Sequence, residues 1–132
     1  MKFHSRRIVK PEDLNANGTL FGGKVLSWID EEAILYSIIQ LENKRLVTKY
    51  ISEINFLSSA VLGDIVEIGI EVVSFGTSSI TLNSEVRNKM THETIIIVDN
   101  IIIVNLDEDG KPHPHGKKEI EFVKDRLSRA NS

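Results

Sequence analysis

The sequence predicts an α+β domain, an antiparallel sheet of five or six strands curled around one long central helix. Three observations carry that expectation. A run from Lys24 to about Glu42 contains neither proline nor glycine and is too long for one strand. Almost everything after it reads as strand, with apolar residues recurring at every second position between short turn signals. The chain has 132 residues, room for one domain and little else. With one helix and several antiparallel strands, the economical packing is a sheet that wraps the helix.

Taken in order, Phe3 to Val9 predicts a short edge strand, and Pro11 to Gly23 (PEDLNANGTLFGG), rich in Asn, Asp, Gly and Pro, a shaped loop. The helix is apolar on nearly every side, through Val25, Leu26, Trp28, Ile29, Ala33, Ile34, Leu35, Tyr36, Ile38, Ile39 and Leu41. That pattern predicts burial all round. Asn43 and the charges after it supply the stop. Leu46 to Leu57 reads as strand, followed by the turn signal Gly63-Asp64. Ile68, Ile70 and Val72 then alternate with Glu67, Gly69 and Glu71. Ile80, Leu82, Ser84 and Val86 alternate with Thr81, Asn83, Glu85 and Arg87. Such half-buried strands joined by short turns pair antiparallel. Thr94 to Leu106 is a long β-branched run suited to a central strand, and Asp107 to Gly110 ends it with turn chemistry. The whole chain, 1–132, reads as one domain. About 113–132 forms a charged C-terminal tail, in which Lys117 to Ala130 suits a short amphipathic surface helix.

Composition narrows the function. A net charge of −3 and a pI near 5.8 argue against bulk electrostatic binding to nucleic acid. The absence of cysteine excludes disulfides, thiolate metal sites and cysteine nucleophiles, and fits a reducing compartment. The basic N-terminus has no apolar segment behind it, so it is not read as a secretory signal. No stretch approaches the roughly 20 apolar residues of a membrane span. Cytoplasm is the expected compartment, with no membrane partner.

The chemically informative segment is Asn15-Ala-Asn-Gly18-Thr-Leu-Phe-Gly22-Gly23, followed seven residues later by Asp30-Glu-Glu-Ala33. Two glycines opening a helix permit close approach by a ligand and leave backbone N–H groups unpaired. Those amides, at the positive end of the helix dipole, suit an oxyanion. A carboxylate in an apolar helix suits a general base. Pattern alone leaves other readings open. Acids at 30, 31 and 32 also fit a solvated stripe, and periodicity does not choose among them. Gly22-Gly23 also fits a tight loop-to-helix turn, and Asn15 and Asn17 fit turn or capping residues. At about 1.5 Å per residue, Asp30 lies roughly 10 Å from the glycine end. If both act on one carbonyl, the carboxylate must meet the glycine end of a second copy, which predicts a homodimer with two composite sites.

Other motifs weigh less. Gly18-Thr-Leu-Phe-Gly-Gly23-Lys24 has phosphate-loop spacing, but Val25 stands where a Ser or Thr must hold magnesium, and no buried strand precedes it. His113-Pro-His115 lacks neighbouring acids or cysteines, so no metal ligands are assigned. Gly76-Thr77-Ser78-Ser79 is not a serine-nucleophile elbow. Its plain reading is a strand-connecting turn.

The pattern Pro11, Asp13, Asn15, Asn17-Gly18, Phe21-Gly22-Gly23, Asp30 and Ala33 resembles the hotdog-fold acyl-CoA thioesterases, specifically the short bacterial broad-specificity type related to the brain acyl-CoA hydrolases. Asn55-Phe56-Leu57 with Gly63-Asp64, Gly76 with Ser78-Ser79, and Asp107 with Asp109-Gly110-Lys111-Pro112 extend the resemblance over roughly residues 8–112. The resemblance implies hydrolysis of acyl-CoA to a free acid and CoA, without a cofactor. It also implies hotdog dimers, often trimers of dimers, with sites between subunits. In its terms Asp30 activates water or attacks the thioester. Asn15 positions water or substrate, and the amides of Gly22 and Gly23 polarise the carbonyl. Asn17, Phe21, Gly76, Thr77, Ser78 and Ser79 are then substrate contacts. The sequence departs from the family at Thr77, where a basic or polar residue is common, and around Ser59, where a proline is usual. A non-catalytic acyl-CoA binder or sensor is the alternative on the same fold, and the joint presence of Asn15 and Asp30 weighs against it. A hotdog dehydratase wants a histidine before the helix, and residues 11–23 contain none.

Overall fold

A computed structural model describes residues 1–121 of the chain. In chain order it contains β1 (Lys2–Ile8), a 3-10 turn (Pro11–Asp13), α1 (Gly22–Leu41), β2 (Leu46–Ile51), β3 (Ile54–Phe56), β4 (Ile65–Phe75), β5 (Ser79–Asn88) and β6 (Thr94–Asn105). All strand pairs are antiparallel, in the order β1-β4-β5-β6-β2, with β3 continuing along β6 beyond β2. The sheet covers the helix with one face, the hotdog arrangement.

The alternation in β5 is the cleanest case of sequence dictating structure. Ile80, Leu82, Ser84 and Val86 are buried while their neighbours are half-exposed, because successive side chains point to opposite faces. Ser84, the polar member of the row, donates its hydroxyl to the Gly69 carbonyl at 2.8 Å. These side chains meet Val25, Trp28, Ile29 and Ala33 from α1 and Ile96, Val98, Ile101 and Ile103 from β6 in one core. The helix ends where Glu42 turns left-handed (φ 55°) and its N–H reaches the Ile38 carbonyl. Asn43 then donates to Asn105 Oδ1 at 2.7 Å and to the Leu106 carbonyl at 3.1 Å, tying the helix exit to the end of β6.

Three expectations are corrected. The helix is not buried all round within one chain: Leu35 and Ile39, one turn apart, are 45% and 49% exposed. The segment Leu46–Leu57 is two strands rather than one, because Ser52 leaves the ladder; its N–H reaches the Asn100 carbonyl and its hydroxyl accepts the Asn100 N–H. The helix expected from Lys117 does not begin there, and the end of the chain is irregular up to residue 121. It packs back on the fold, with Gln40 and the backbone of Glu121 exchanging two hydrogen bonds at 3.0 and 3.3 Å. The rest of the helix expected at 117–130 lies outside the described residues.

Candidate active site

The loop before α1 is built by its own polar groups. Asn15 Oδ1 accepts the backbone N–H groups of Asn17 and Thr19 at 2.9 and 3.1 Å, and Asn15 Nδ2 donates to Thr19 Oγ1 at 2.9 Å. Backbone bonds between Asn15 and Thr19 and between Gly18 and Asn15 close the turn, with Gly18 at φ 79°. Asn15 is therefore a turn organiser in the single chain, leaving at most one amide hydrogen for a ligand. Asn17 is exposed beside it. Asp13, buried, fixes the other side. Its Oδ2 accepts the Lys10 N–H at 2.9 Å, and its carbonyl accepts the N–H of Phe21, the residue that caps the helix.

Beyond that pinned residue the chain enters α1, whose first N–H groups have no partner within the helix. Among the described residues no acceptor meets the amides of Gly22 and Gly23, whereas those of Lys24 and Val25 reach the Phe21 carbonyl. The absence of side chains at both positions admits two aromatic rings. A Cβ on Gly22 would lie 3.1 Å from the Phe56 ring, and one on Gly23 would lie 2.8 Å from the Phe21 ring. Both rings are more than half exposed, so the unbonded amides sit in an apolar, accessible setting.

Two turns along the helix, the three consecutive acids separate. Glu31 and Glu32 turn towards β1, where Arg7 Nη2 reaches them at 3.2 and 3.0 Å while its guanidinium lies over the Trp28 ring. Asp30, half-buried, turns towards the opposite edge of the sheet, where Thr48 Oγ1 donates to its Oδ1 at 2.5 Å. That distance is at the short end for a hydroxyl on a carboxylate. Thr48 was not among the residues the sequence singled out. The reason lies in the ladder: Thr48 pairs with Ile103 and Tyr50 with Ile102, so Lys49 is an extra residue, a bulge. The bulge leaves Lys49 and Tyr50 both exposed while Thr48 and Ile51 turn inward, re-aiming one side chain as bulges do. No period-two reading of LVTKYI reports that.

The remaining predicted contacts lie elsewhere. Gly76, Thr77, Ser78 and Ser79 form the β4–β5 turn, which is held to the end of β6 by Asn105 N–H donating to the Ser78 carbonyl. Asn105 also meets Asn43 at the exit of α1, so this loop lies at the far end of a 20-residue helix from Gly22 and Gly23, a span of about 30 Å. One chain does not bring the two groups together. Nor does it bring Asp30 to the glycine amides, which the helical rise keeps about 10 Å apart. Among the described residues no group of three or more metal-binding side chains occurs, and no helix is long and apolar enough to cross a membrane.

An antiparallel sheet wrapped around one long helix that opens on a glycine pair is the architecture of the hotdog class. The chain belongs to the thioesterase superfamily, which matches residues 17–95, and it is a thioester hydrolase. Among its relatives, the acyl-CoA thioester hydrolase YciA of Salmonella typhimurium is 34% identical over 115 residues, covering 83% of this chain and 86% of the relative. The hexameric thioesterase y2039 from Yersinia pestis superposes with a TM-score of 0.78 at 28% identity, covering 86% of this chain and 93% of that one. The acyl-CoA hydrolase from Staphylococcus aureus, solved with butyryl-CoA and CoA, gives a TM-score of 0.77 at 29% identity over 83% of this chain and 68% of that one. Structures of that hydrolase also exist with an aspartate, an asparagine or a threonine replaced by alanine.

Proposed function

We propose that this thioesterase cleaves acyl-CoA to a free carboxylic acid and CoA in sites shared between copies of the chain, with Asp30 as base or nucleophile. The observation that carries the assignment is that one helix bears both an Asp30 carboxylate fixed by Thr48 and, about 10 Å away, the unbonded amides of Gly22 and Gly23. As the thioester carbon becomes tetrahedral, its oxygen gains negative charge, and two preorganised N–H donors stabilise that charge without reorganising. Asp30 either takes a proton from the attacking water or attacks the carbon itself. The C–S bond then breaks and CoA leaves as a thiolate, giving the free acid directly where water attacked, or a mixed anhydride on Asp30 that water then hydrolyses to the acid and the free carboxylate. Asn15 contributes its remaining amide hydrogen to water or substrate, and Asn17 and Phe21 flank the entry.

Spacing in the Staphylococcus aureus protein supports these roles. The asparagine and aspartate exchanged there stand fifteen positions apart, as Asn15 and Asp30 do. The threonine follows that aspartate by seventeen positions, one fewer than separates Asp30 from Thr48.

The separation of amides and carboxylate within one chain, about 10 Å, favours a homodimer in which Asp30 faces the glycine end of a second copy. The exposed apolar side chains Val47 and Tyr50 on edge strand β2, and Leu35 and Ile39 on α1, give such an assembly surface to bury. A trimer of dimers would then bring a Gly76–Ser79 loop to the CoA phosphates. The reaction as written uses only side chains and backbone of copies of this chain, with no cofactor, and the absence of cysteine fits the cytoplasm. Free-thiol release from short- to long-chain acyl-CoAs, compared between wild type and Asp30→Asn, tests the proposal. Turnover lost in the variant with the oligomer intact is the expected result. Turnover retained by the variant removes Asp30 from the chemistry.

A further inference from the structure

The Gly76–Ser79 loop has its carbonyls tied back and its amides left open. The Thr77 carbonyl accepts the His115 N–H at 3.2 Å, and the Ser78 carbonyl accepts the Asn105 N–H at 2.7 Å. The Ser79 carbonyl accepts both the Gly76 N–H at 2.9 Å and the His115 ring at 2.8 Å. Among the described residues no acceptor meets the N–H groups of Thr77 and Ser78. Successive open amides, with their carbonyls turned the other way, make a concavity suited to an anion. A Cβ on Gly76 would collide with Ser79 Oγ, so the turn is also sterically tight.

One residue accounts for two of those ties. His115 Nδ1 accepts the Lys117 N–H at 2.9 Å; the other ring nitrogen, Nε2, therefore carries the hydrogen and donates to Ser79. The Phe75 ring packs edge-on against the imidazole, with centroids 6.0 Å apart. His115 itself is held by its own strap, since Asn105 Nδ2 reaches the His113 carbonyl at 2.8 Å and the Gln40–Glu121 exchange anchors the far side.

We infer that His115 is a positioning residue for the substrate: it clamps the carbonyls of Thr77 and Ser79 inward so that the loop's open amides receive a phosphate of CoA. The inference rests on the proposed acyl-CoA reading and assigns to the C-terminal segment a task that a solvated tail would not have. It also explains how a loop with Thr77, which brings no charge, holds an anion: by fixed backbone dipoles.

The test compares KM for an acyl-CoA with KM for the matching acyl-pantetheine, which carries the thioester but no phosphate. Losing the side-chain clamp costs about one to two hydrogen bonds, so His115→Ala should raise KM for acyl-CoA about three- to tenfold. It should move KM for acyl-pantetheine less than about twofold, with kcat for acyl-CoA held. His115→Gln, which keeps a side-chain N–H donor, should recover part of the acyl-CoA KM and guards against a misfolded alanine variant. Equal shifts for both substrates would mean a merely structural role and overturn the inference. Gly76→Ala separates the two readings, because it distorts the loop directly. If Gly76→Ala changes the acyl-CoA to acyl-pantetheine ratio and His115→Ala does not, the positioning role fails alone. If neither changes it, the loop is not the phosphate site and both fall.

Discussion

Replacing Thr48 with valine removes the hydroxyl that holds Asp30 and almost nothing else. Valine has nearly the same shape and the same β-branched preference for a strand, so β2 and its bulge should persist. The lost bond is short, 2.5 Å between Thr48 Oγ1 and Asp30 Oδ1, and a hydrogen bond to a charged group contributes about 1.5–3 kcal/mol. Asp30 gives up part of its charge as it acts, so the bond is weaker in the transition state and its full value is not at stake. By energy alone its loss would not slow turnover, so what the variant loses is the orientation of the carboxylate. A drop in kcat of about tenfold corresponds to about 1.4 kcal/mol. Free-thiol release at saturating acyl-CoA measures it, with thermal melting run alongside to confirm the fold. Thr48→Ser keeps the hydroxyl and should stay within about threefold of wild type. Wild-type kcat in Thr48→Val would refute the reasoning. An equal loss in both variants would move the effect from the hydroxyl to the methyl group and its packing.

Three further outcomes follow from the same geometry. Asp30→Asn keeps the shape of the site but removes the base, and thiol release should fall by about 10²–10⁴, with size-exclusion chromatography showing an unchanged oligomer. Gly23→Ala should hold or raise the melting temperature, since alanine favours a helix by about 0.5–1 kcal/mol and the Phe21 ring edge 2.8 Å from the new methyl is exposed and can swing away. Activity should fall in the same variant because the methyl crowds the amide face, and a variant both stable and fully active would argue against the oxyanion role. Asp107 is held below the usual carboxylate range, first by the Lys111 N–H, then by the Asp109 N–H and the charges of His113 and Arg45, with burial opposing. A depressed carboxyl contributes stability that is present above its unfolded value and lost as pH falls through the folded one. Melting between about pH 2 and 6 should therefore show a shallower acid loss for Asp107→Asn, and identical curves would deny the turn that contribution.

The sequence by itself determined the elements and the chemistry-bearing loop, because those depend on short-range periods. A helical run free of Pro and Gly from Lys24 to Leu41, the alternation of Ile80, Leu82, Ser84 and Val86, and paired glycines at the helix start all declare themselves within a few positions. The family resemblance picked out Asp30, and tertiary structure supplies the physical reason that it stands apart. Asp30, Glu31 and Glu32 are equivalent by periodicity, and they part only because Arg7 on β1 reaches two of them while a bulge at Lys49 aims Thr48 at the third. The break at Ser52, the half-exposed flank at Leu35 and Ile39 and the docking of His115 on the β4–β5 turn were equally illegible. Each joins residues far apart in the chain through single hydrogen bonds or a shared face. Side-chain period says which way a residue points within its own element; only the packed sheet, with its bulges and its register, says what it meets there.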